Sequence, residues 1–249
     1  MNVTAIVPTL NEEDNILDCL ASLEWAGRRV VFDCYSTDRT VELAQDAGAE
    51  VLQHPFEDFA QFHNAAMEEV EAEWILFVDA DERVTPELAA EIESTIAEDC
   101  DEVLWWIPRH NYIFGRLTKG AGWYPDYQAR LLRRGYVHWE RPVHEVAVAN
   151  GPEGHLENPL IHYNYDDLAD FKARQERYNQ YDTQILFEEG VRPHAYTPYT
   201  QLVRHFWWRL VTLRGLREGV HGLRLSLLMA TYEMKKYRRL ARMWRDAAR

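Results

Sequence analysis

The sequence predicts an α/β fold in which a mostly parallel sheet is followed by a C-terminal helical extension. Strand and helix signals alternate through the first hundred of the 249 residues, and repeated βα units form parallel sheets covered by helices. Short polar segments follow three of the predicted strands, and the last third of the chain carries only helical signals. These observations place the layered α/β body first and the helices last.

The first half of the body alternates strands with helices. The apolar run 74–78 is typical of a strand buried on both faces, and the helix at 12–25 places Ile16, Leu17, Leu20 and Leu23 on one side. The strands are predicted at residues 3–7, 29–33, 51–52 and 74–78. The helices between and after them are predicted at residues 12–25, 38–47, 58–72 and 86–98.

The pattern changes to mixed sheet and loop after residue 100. Further strands are predicted at 103–107, 129–133, 143–149 and 160–163, and further helices at 166–189, 197–214 and 221–245. We therefore expect a body over 1–165, with halves 1–100 and 101–165, and a helical extension over 166–249.

The net charge of −14 is distributed unevenly. Residues 200–249 hold 12 Lys and Arg against 3 Asp and Glu, so they carry +9 while residues 1–199 carry −23. An acidic body does not suit nucleic acid, so no nucleic-acid partner is expected. A basic segment rich in aromatics suits an anionic membrane surface. The alternative is that these helices pack on the body and pair with its acidic groups.

The chain shows no sign of export or of a membrane span. No apolar stretch reaches the ~18 residues that a transmembrane helix needs, and no basic leader precedes the first strand. The cysteines Cys19, Cys34 and Cys100 have no paired spacing, which favours free thiols in a reducing compartment rather than a zinc site. A cytoplasmic protein is expected.

An acidic segment, Asp79-Ala80-Asp81-Glu82, directly follows the predicted strand at 74–78. Carboxylates this close repel each other, and burying them is costly unless a cation compensates. The usual compensation is a divalent metal that also holds phosphate oxygens. The alternative is a polar loop that caps the next helix at Thr85.

Two other polar segments, 8–12 and 33–38, also follow predicted strands. Ligands of parallel sheets bind at the carboxyl ends of the strands. The three segments together predict a nucleotide site along one edge of the sheet.

In this order the segments resemble glycosyltransferase family 2, whose catalytic domain has the GT-A fold, a Rossmann-like sheet that binds nucleotide-sugars. The motifs are Pro8-Thr9-Leu10-Asn11-Glu12, Asp33-Cys34-Tyr35-Ser36-Thr37-Asp38 and Asp79-Ala80-Asp81-Glu82. The later segments Gly122-Trp123-Tyr124-Pro125-Asp126 and Pro142-Val143-His144-Glu145 are similar to those of bacterial lipopolysaccharide-core β-glucosyltransferases. The resemblance covers residues 1–165 well and the helical extension loosely.

The resemblance implies inverting transfer from a nucleotide-diphosphate donor, a UDP-sugar, with Mg²⁺ or Mn²⁺ as cofactor. The acceptor would be a glycan or lipid-linked glycan of cell-envelope polysaccharide or lipopolysaccharide synthesis, reached from the inner face of the cytoplasmic membrane. The implied nucleotide-sugar site comprises Pro8, Thr9, Asn11, Glu12, Asp33, Ser36, Asp38, Asn64, Asp79 and Ala80.

Inverting transfer needs a carboxylate that takes the proton of the acceptor hydroxyl. Asp126 matches the catalytic acid of the family, because Arg130 follows it by four positions. Glu145 is the competing base. Trp123 and Tyr124 are the expected acceptor platform, since sugars stack on aromatic rings.

The resemblance assigns Asp79 and Asp81 to the metal. His144 is the expected third ligand and His162 the alternative, because a neutral imidazole suits Mn²⁺. A nucleotidyltransferase would show glycine or a basic residue in the loop at 8–13, which has neither. A non-catalytic sugar-nucleotide-binding module would be favoured if the carboxylates were missing.

Overall fold

The computed structural model describes residues 3–97, 100–141 and 146–248. They form two compact units: the first holds residues up to 110 together with 126–162, and the second holds 111–125 together with the chain from 163 onward. Helices and a mainly parallel sheet make up the architecture, which confirms the predicted fold class. The boundaries predicted at residues 100 and 165 stay predictions.

The bounds of the elements follow the chain. The strands are β1 (Val3–Thr9), β2 (Arg28–Asp33), β3 (Glu50–Gln53), β4 (Trp74–Phe77), β5 (Glu82–Val84), β6 (Leu104–Ile113), β7 (Arg116–Leu117), β8 (Tyr127–Arg133), β9 (Val137–Glu140), β10 (Val146–Ala149), β11 (Glu153–His155) and β12 (Leu160–Tyr165). The α-helices are α1 (Ile16–Ala21), α2 (Thr40–Asp46), α3 (Phe59–Glu69), α4 (Pro86–Ala97), α5 (Leu168–Glu188), α6 (Thr197–Trp207) and α7 (Val220–Ala247). A π-helical turn (Trp208–Thr212) and a 3₁₀ turn (Gly215–Glu218) connect the last two helices.

The sheet of the first unit begins with the order β3-β2-β1-β4-β8-β6. The first four of these strands are parallel, whereas β8 pairs antiparallel with both β4 and β6. The carboxyl ends of β1, β2 and β4 therefore lie along one edge, where Thr9 is in register with Asp33. That edge carries the three polar segments.

The two faces of this sheet are covered by different helices. Alternate residues of β1 point to opposite faces, so Val7 packs with Leu20 and Leu88 of α1 and α4. Ile6 packs on the other face with Phe62 of α3. Covering on both faces fixes the strands and hence the position of the loops at their ends.

Two of the differences from the sequence pattern lie near this edge of the sheet. The helix expected at 12–25 is α-helical only over α1, and turns precede it in which the backbone N–H groups of Asn15 and Ile16 donate to the Glu12 carbonyl. Ahead of these turns, the backbone N–H groups of Asn11 and Glu12 donate to the side chains of Ser36 and Thr40. The strand β5 was not expected within an acidic loop, and it pairs with β12.

In the second unit, the helices α5 and α7 pack around a core of Ile113, Tyr165, Phe171, Leu225 and Tyr232. Asp167 caps α5 by accepting from the backbone N–H groups of Ala169 and Asp170. Across residues 3–97, 100–141 and 146–248, no helix combines the length and the apolarity needed to cross a bilayer.

Candidate active site

Asp33 fixes the ends of three strands. Its buried carboxylate accepts from Thr9 Oγ1 (3.1 Å), the Ser36 backbone N–H (2.9 Å), Gln53 Nε2 (3.0 Å) and the Ser36 hydroxyl. A carboxylate has about four acceptor positions, so these donors fill them. Asp33 thereby shapes the floor of the predicted nucleoside pocket.

The loops after β1 and β2 interlock above that floor. Asn11 adopts a left-handed backbone (φ 57°), and its side-chain oxygen accepts from the Thr37 backbone N–H at 2.8 Å. Asp38 accepts from the backbone N–H groups of Glu13 and Thr40. Burial raises the pKa of Asp38, but its hydrogen bonds from Thr40 outweigh this and hold the pKa below its usual range. The predicted residues Pro8, Thr9, Asn11, Glu12, Asp33, Ser36 and Asp38 thus belong to one pair of joined loops.

Arg130 lies against the acidic segment. Its guanidinium donates to both oxygens of Asp79, with Nη1 at 3.2 Å from Oδ1, and to Glu82 Oε1 at 2.8 Å. The other oxygen of Glu82 accepts from the Asp79 backbone N–H at 3.0 Å. Glu82 and Arg130 are both buried. Part of the positive charge that the acidic segment requires is therefore an arginine of the same chain.

This pairing sets the ionisation of both partners. Burial raises the pKa of the Asp79 carboxyl, yet the charge of Arg130 and its hydrogen bonds outweigh this and hold the pKa well below its usual range. Burial lowers the pKa of Arg130, and the charges of Asp79 and Glu82 raise it by more. Asp79 is consequently an anion at any physiological pH.

Asp126 is held by a second arginine. Arg109 donates from Nε and Nη2 to Asp126 Oδ2, both at 2.8 Å, and Gln128 Nε2 donates to Oδ1 at 2.8 Å. Arg109 Nη1 also lies 3.4 Å from Glu82 Oε1. Buried Glu82 thus joins Asp126 and Asp79 through one arginine on each side, which brings the predicted base and the predicted diphosphate-binding segment into one network.

His162 lies beside Asp81. The register of β12 with β5 sets His162 opposite Glu82, and its Nε2 lies 3.4 Å from Asp81 Oδ2. Residues 3–97, 100–141 and 146–248 contain no group of three or more His, Cys, Asp or Glu side chains arranged to hold a metal ion. Asp81 and His162 are a pair of donors that fits a cation whose other ligands come from a diphosphate. The predicted ligand His144 and the competing base Glu145 lie outside the described residues.

Other predicted site residues have structural partners. The amide of Asn64 on α3 donates to the Trp139 carbonyl (2.9 Å) and accepts from the Trp139 N–H (2.8 Å), so it ties α3 to β9. Ala80 is buried, and its carbonyl accepts from Arg83 Nη1 at 2.7 Å. The helix capping that belongs to the alternative interpretation of the acidic segment is present, since the Thr85 hydroxyl oxygen accepts from the Leu88 N–H at 3.1 Å.

The predicted acceptor residues belong to the second unit. Trp123 is half-buried against Tyr165, with ring centroids 5.9 Å apart, and its carbonyl accepts from Asn111. Tyr124 is 40% exposed and lies under the ammonium of Lys119. The side chain that solvent reaches more readily is therefore that of Tyr124.

Sequence reasoning missed the role of both arginines. Arg130 was recognised only as a spacing marker for Asp126, and Arg109 was not singled out. A signal was present, because a buried strand such as β8 seldom carries a charge unless a partner of opposite charge faces it.

A parallel sheet with joined polar loops at its carboxyl edge, followed there by an acidic segment, is the architecture of a GT-A glycosyltransferase. Staphylococcus aureus TarS 1–349, solved in complex with UDP-GlcNAc, shares this fold with a TM-score of 0.52 at 17% identity, over 99% of this chain and 92% of that one. The fold neighbour agrees with the predicted GT-A class.

The family model named Glycosyl transferase family 2 matches residues 4–148. The lipopolysaccharide core biosynthesis glycosyltransferase LpsC of Rhizobium meliloti is 28% identical, over 92% of this chain and 90% of its own length. An uncharacterized glycosyltransferase of Rickettsia felis is 33% identical, over 97% of this chain and 89% of its own length. The chain belongs to glycosyl transferase family 2, and it is an enzyme that transfers a sugar.

Proposed function

We propose that the chain transfers a sugar from a UDP-sugar donor to a glycan or lipid-linked glycan of lipopolysaccharide or another cell-envelope polysaccharide, with inversion. The observation that carries the proposal is the network Asp126–Arg109–Glu82–Arg130–Asp79, which fixes a carboxylate beside the acidic segment. The similarity to LpsC supports the acceptor class, and the UDP-GlcNAc complex of TarS supports the donor class.

The joined loops after β1 and β2 would bind the nucleoside, with Asp33 as their anchor. A base such as uracil donates a hydrogen bond from its ring N–H. One of the groups that now donate a hydrogen bond to Asp33 must therefore move away when the UDP-sugar binds. Asn64 and Ala80 would complete the site from α3 and from the acidic segment. Because hydrogen bonds already hold these loops in place, less conformational entropy is lost when the UDP-sugar binds.

Asp81 and His162 would hold a divalent cation together with the donor diphosphate. Bound there, Mg²⁺ or Mn²⁺ would stabilise the negative charge that develops on the leaving group. Asp79 is also predicted to take part, and Arg130 already compensates most of its charge. The predicted third ligand beside Asp79 and Asp81 is His144, in the segment that follows β9, and His162 is the alternative to it.

Asp126 would act as the base. Its carboxylate takes the proton of the acceptor hydroxyl, the hydroxyl oxygen bonds to the anomeric carbon, and the bond from that carbon to the diphosphate breaks. Arg109 and Gln128 contact one carboxylate oxygen each and so fix the orientation of the Asp126 carboxylate. Tyr124 and Trp123 would offer their rings to the acceptor sugar.

The test begins with the purified full chain and a set of nucleotide-sugars, each added with Mn²⁺ or Mg²⁺. A true donor should raise the melting temperature, and its slow hydrolysis should release nucleoside diphosphate. Asp126→Asn should lower sugar transfer by about 10²–10⁴-fold while donor affinity stays nearly unchanged. Glu145→Gln serves as the comparison, because full transfer by Asp126→Asn together with its loss in Glu145→Gln would reassign the base.

A further inference from the structure

The second unit presents an apolar stripe to solvent on α6. Tyr199, Val203, Trp207 and Val211 follow one another at intervals of four residues, so they share one side of the helix and its π-helical continuation. Trp207 is 58% exposed, and the other three are exposed to a similar degree. The helix α6 also packs against α7, and within the stripe Tyr199 contacts Arg238 of α7.

A second stripe lies on α7 and on the 3₁₀ turn before it. Val220 is 82% exposed and Leu216 62%, and Leu223 and Leu227 continue the row at helical spacing. The opposite side of α7 places Leu225 in the core. A helix that is apolar on both sides is unusual in a protein surrounded only by water. The two stripes, Tyr199, Val203, Trp207, Val211, Leu216, Val220, Leu223 and Leu227, are the apolar surface.

Basic side chains accompany the apolar surface. Exposed arginines stand on the same elements at positions 204, 214, 217 and 224. Glu218 is the one acidic residue between positions 196 and 231. Its carboxylate is engaged within the unit, where it accepts from the Lys119 backbone N–H at 3.0 Å and lies 3.5 Å from Arg116. The charge presented beside the apolar surface is therefore positive.

A basic cleft of about 830 Å³ adjoins the apolar surface through Tyr199, which lines both. Arginines from the loop before α6 and from the last turns of α7 line it at positions 192, 238, 242 and 245. Arg238 stacks over the ring of Tyr199, 5.3 Å from its centroid. The cleft has the size and charge for phosphate headgroups.

We infer that the apolar surface and the basic cleft bind an anionic phospholipid bilayer. Tryptophan and aliphatic side chains enter the interface between headgroups and acyl chains, while arginines contact lipid phosphates. The second unit would lie on the surface of the bilayer. A second copy of the chain fits poorly, because twofold pairing would bring the same arginines together. The sequence predicted a membrane-binding segment over residues 200–249. The inference assigns the membrane contact to the side chains of the apolar surface and the basic cleft.

The first test is flotation of the full chain, without donor, on vesicles of equimolar phosphatidylcholine and phosphatidylglycerol. The chain should float with these vesicles at low salt and not with phosphatidylcholine alone. The double variant Trp207→Ser with Leu223→Ser should lower the partition coefficient by about tenfold or more, since two large apolar side chains no longer enter the interface. Tyr181→Ser on α5 is the matched control, because Tyr181 is 53% exposed but lies outside the apolar surface.

The second test addresses the charge. Arg217→Gln and Arg224→Gln should each weaken binding to the anionic vesicles by about fivefold. Equal flotation on both vesicle types, or none on either, would overturn the inference. It would also be overturned by dimers in light scattering that dissociate in the Trp207→Ser, Leu223→Ser variant, since the occupant would then be a second copy. Vesicle binding needs no sugar transfer, so its outcome is independent of the proposed function.

Discussion

Arg130 binds Asp79 through both terminal nitrogens, so the first carboxylate of the acidic segment is neutralised by a side chain 51 positions later in the chain. The same guanidinium reaches Glu82, which is fully buried. The protein therefore supplies one cation of this region permanently. Under the proposed function, a divalent ion would then be held by the donor diphosphate and Asp81 rather than by Asp79.

Removal of Arg130 should destabilise the fold. Arg130→Leu leaves the buried carboxylate of Glu82 with the longer contact to Arg109 as its charge partner, which should lower the free energy of unfolding by about 3 kcal/mol. Urea denaturation measures this. The control is Arg28→Leu, whose half-exposed pair with Glu50 should contribute at most about 1 kcal/mol. Equal losses in the two variants would show that the network does not stabilise the sheet edge.

Loss of Arg109 should misplace the base rather than remove it. In Arg109→Gln, Asp126 loses its ion pair with Arg109, so we expect kcat to fall by about tenfold to a hundredfold with little change in donor KM. Arg109→Lys should restore part of the loss, because one ammonium can replace one of the two bonds. An unchanged kcat would contradict a positioning role.

Asp33→Asn should weaken the nucleoside pocket. The substitution replaces one acceptor oxygen by an N–H₂ group that faces the donors of Thr9 and Ser36 or of Gln53, so at least one buried hydrogen bond is lost at about 1–3 kcal/mol. Calorimetry with UDP should show lower affinity. Glu42→Gln, in an exposed pair with Arg39, is the control and should leave affinity unchanged.

Removal of metal tests the pair Asp81 and His162. Chelation should stop nucleoside diphosphate release from the donor, and added Mn²⁺ or Mg²⁺ should restore it. His162→Gln should raise the metal concentration needed for half-maximal activity, whereas His138→Gln, at an exposed position on β9, should not. Full release in excess chelator would exclude the proposed cofactor.

The second unit should lose stability on acidification through His221. Burial, followed by the charges of Arg116 and Arg224, lowers the pKa of His221 in the folded state, while Glu218 acts in the opposite direction. In the unfolded chain the pKa of this histidine is about 6.5, so below that pH the unfolded state binds more protons than the folded state. The free energy of unfolding therefore decreases as the pH falls through about 6.5. His221→Gln should flatten this dependence of the urea midpoint, and an unchanged slope would refute the assignment.

The fold class followed from local patterns that do not depend on distant contacts. The run 74–78 has no polar residue, and such runs form strands wherever they are covered on both faces. The hydrogen bonds from the backbone of Asn11 and Glu12 to Ser36 and Thr40 could not be predicted, because the partners are 25 and 28 positions apart in the chain. Strand β5 likewise depends on its partner β12.

The sequence by itself determined the βα alternation, the order of the polar segments and the family, since these reside in periodicity and in residues close along the chain. Only the tertiary structure decided which charges meet. Arg109 and Arg130 are 17 and 51 positions from their carboxylate partners, and pairing over such separations depends on strand order and register. Tertiary packing also decided that Trp207 and Val220 are exposed. The spacing of apolar residues shows which of them share one side of a helix, but only packing determines whether that side contacts protein or solvent.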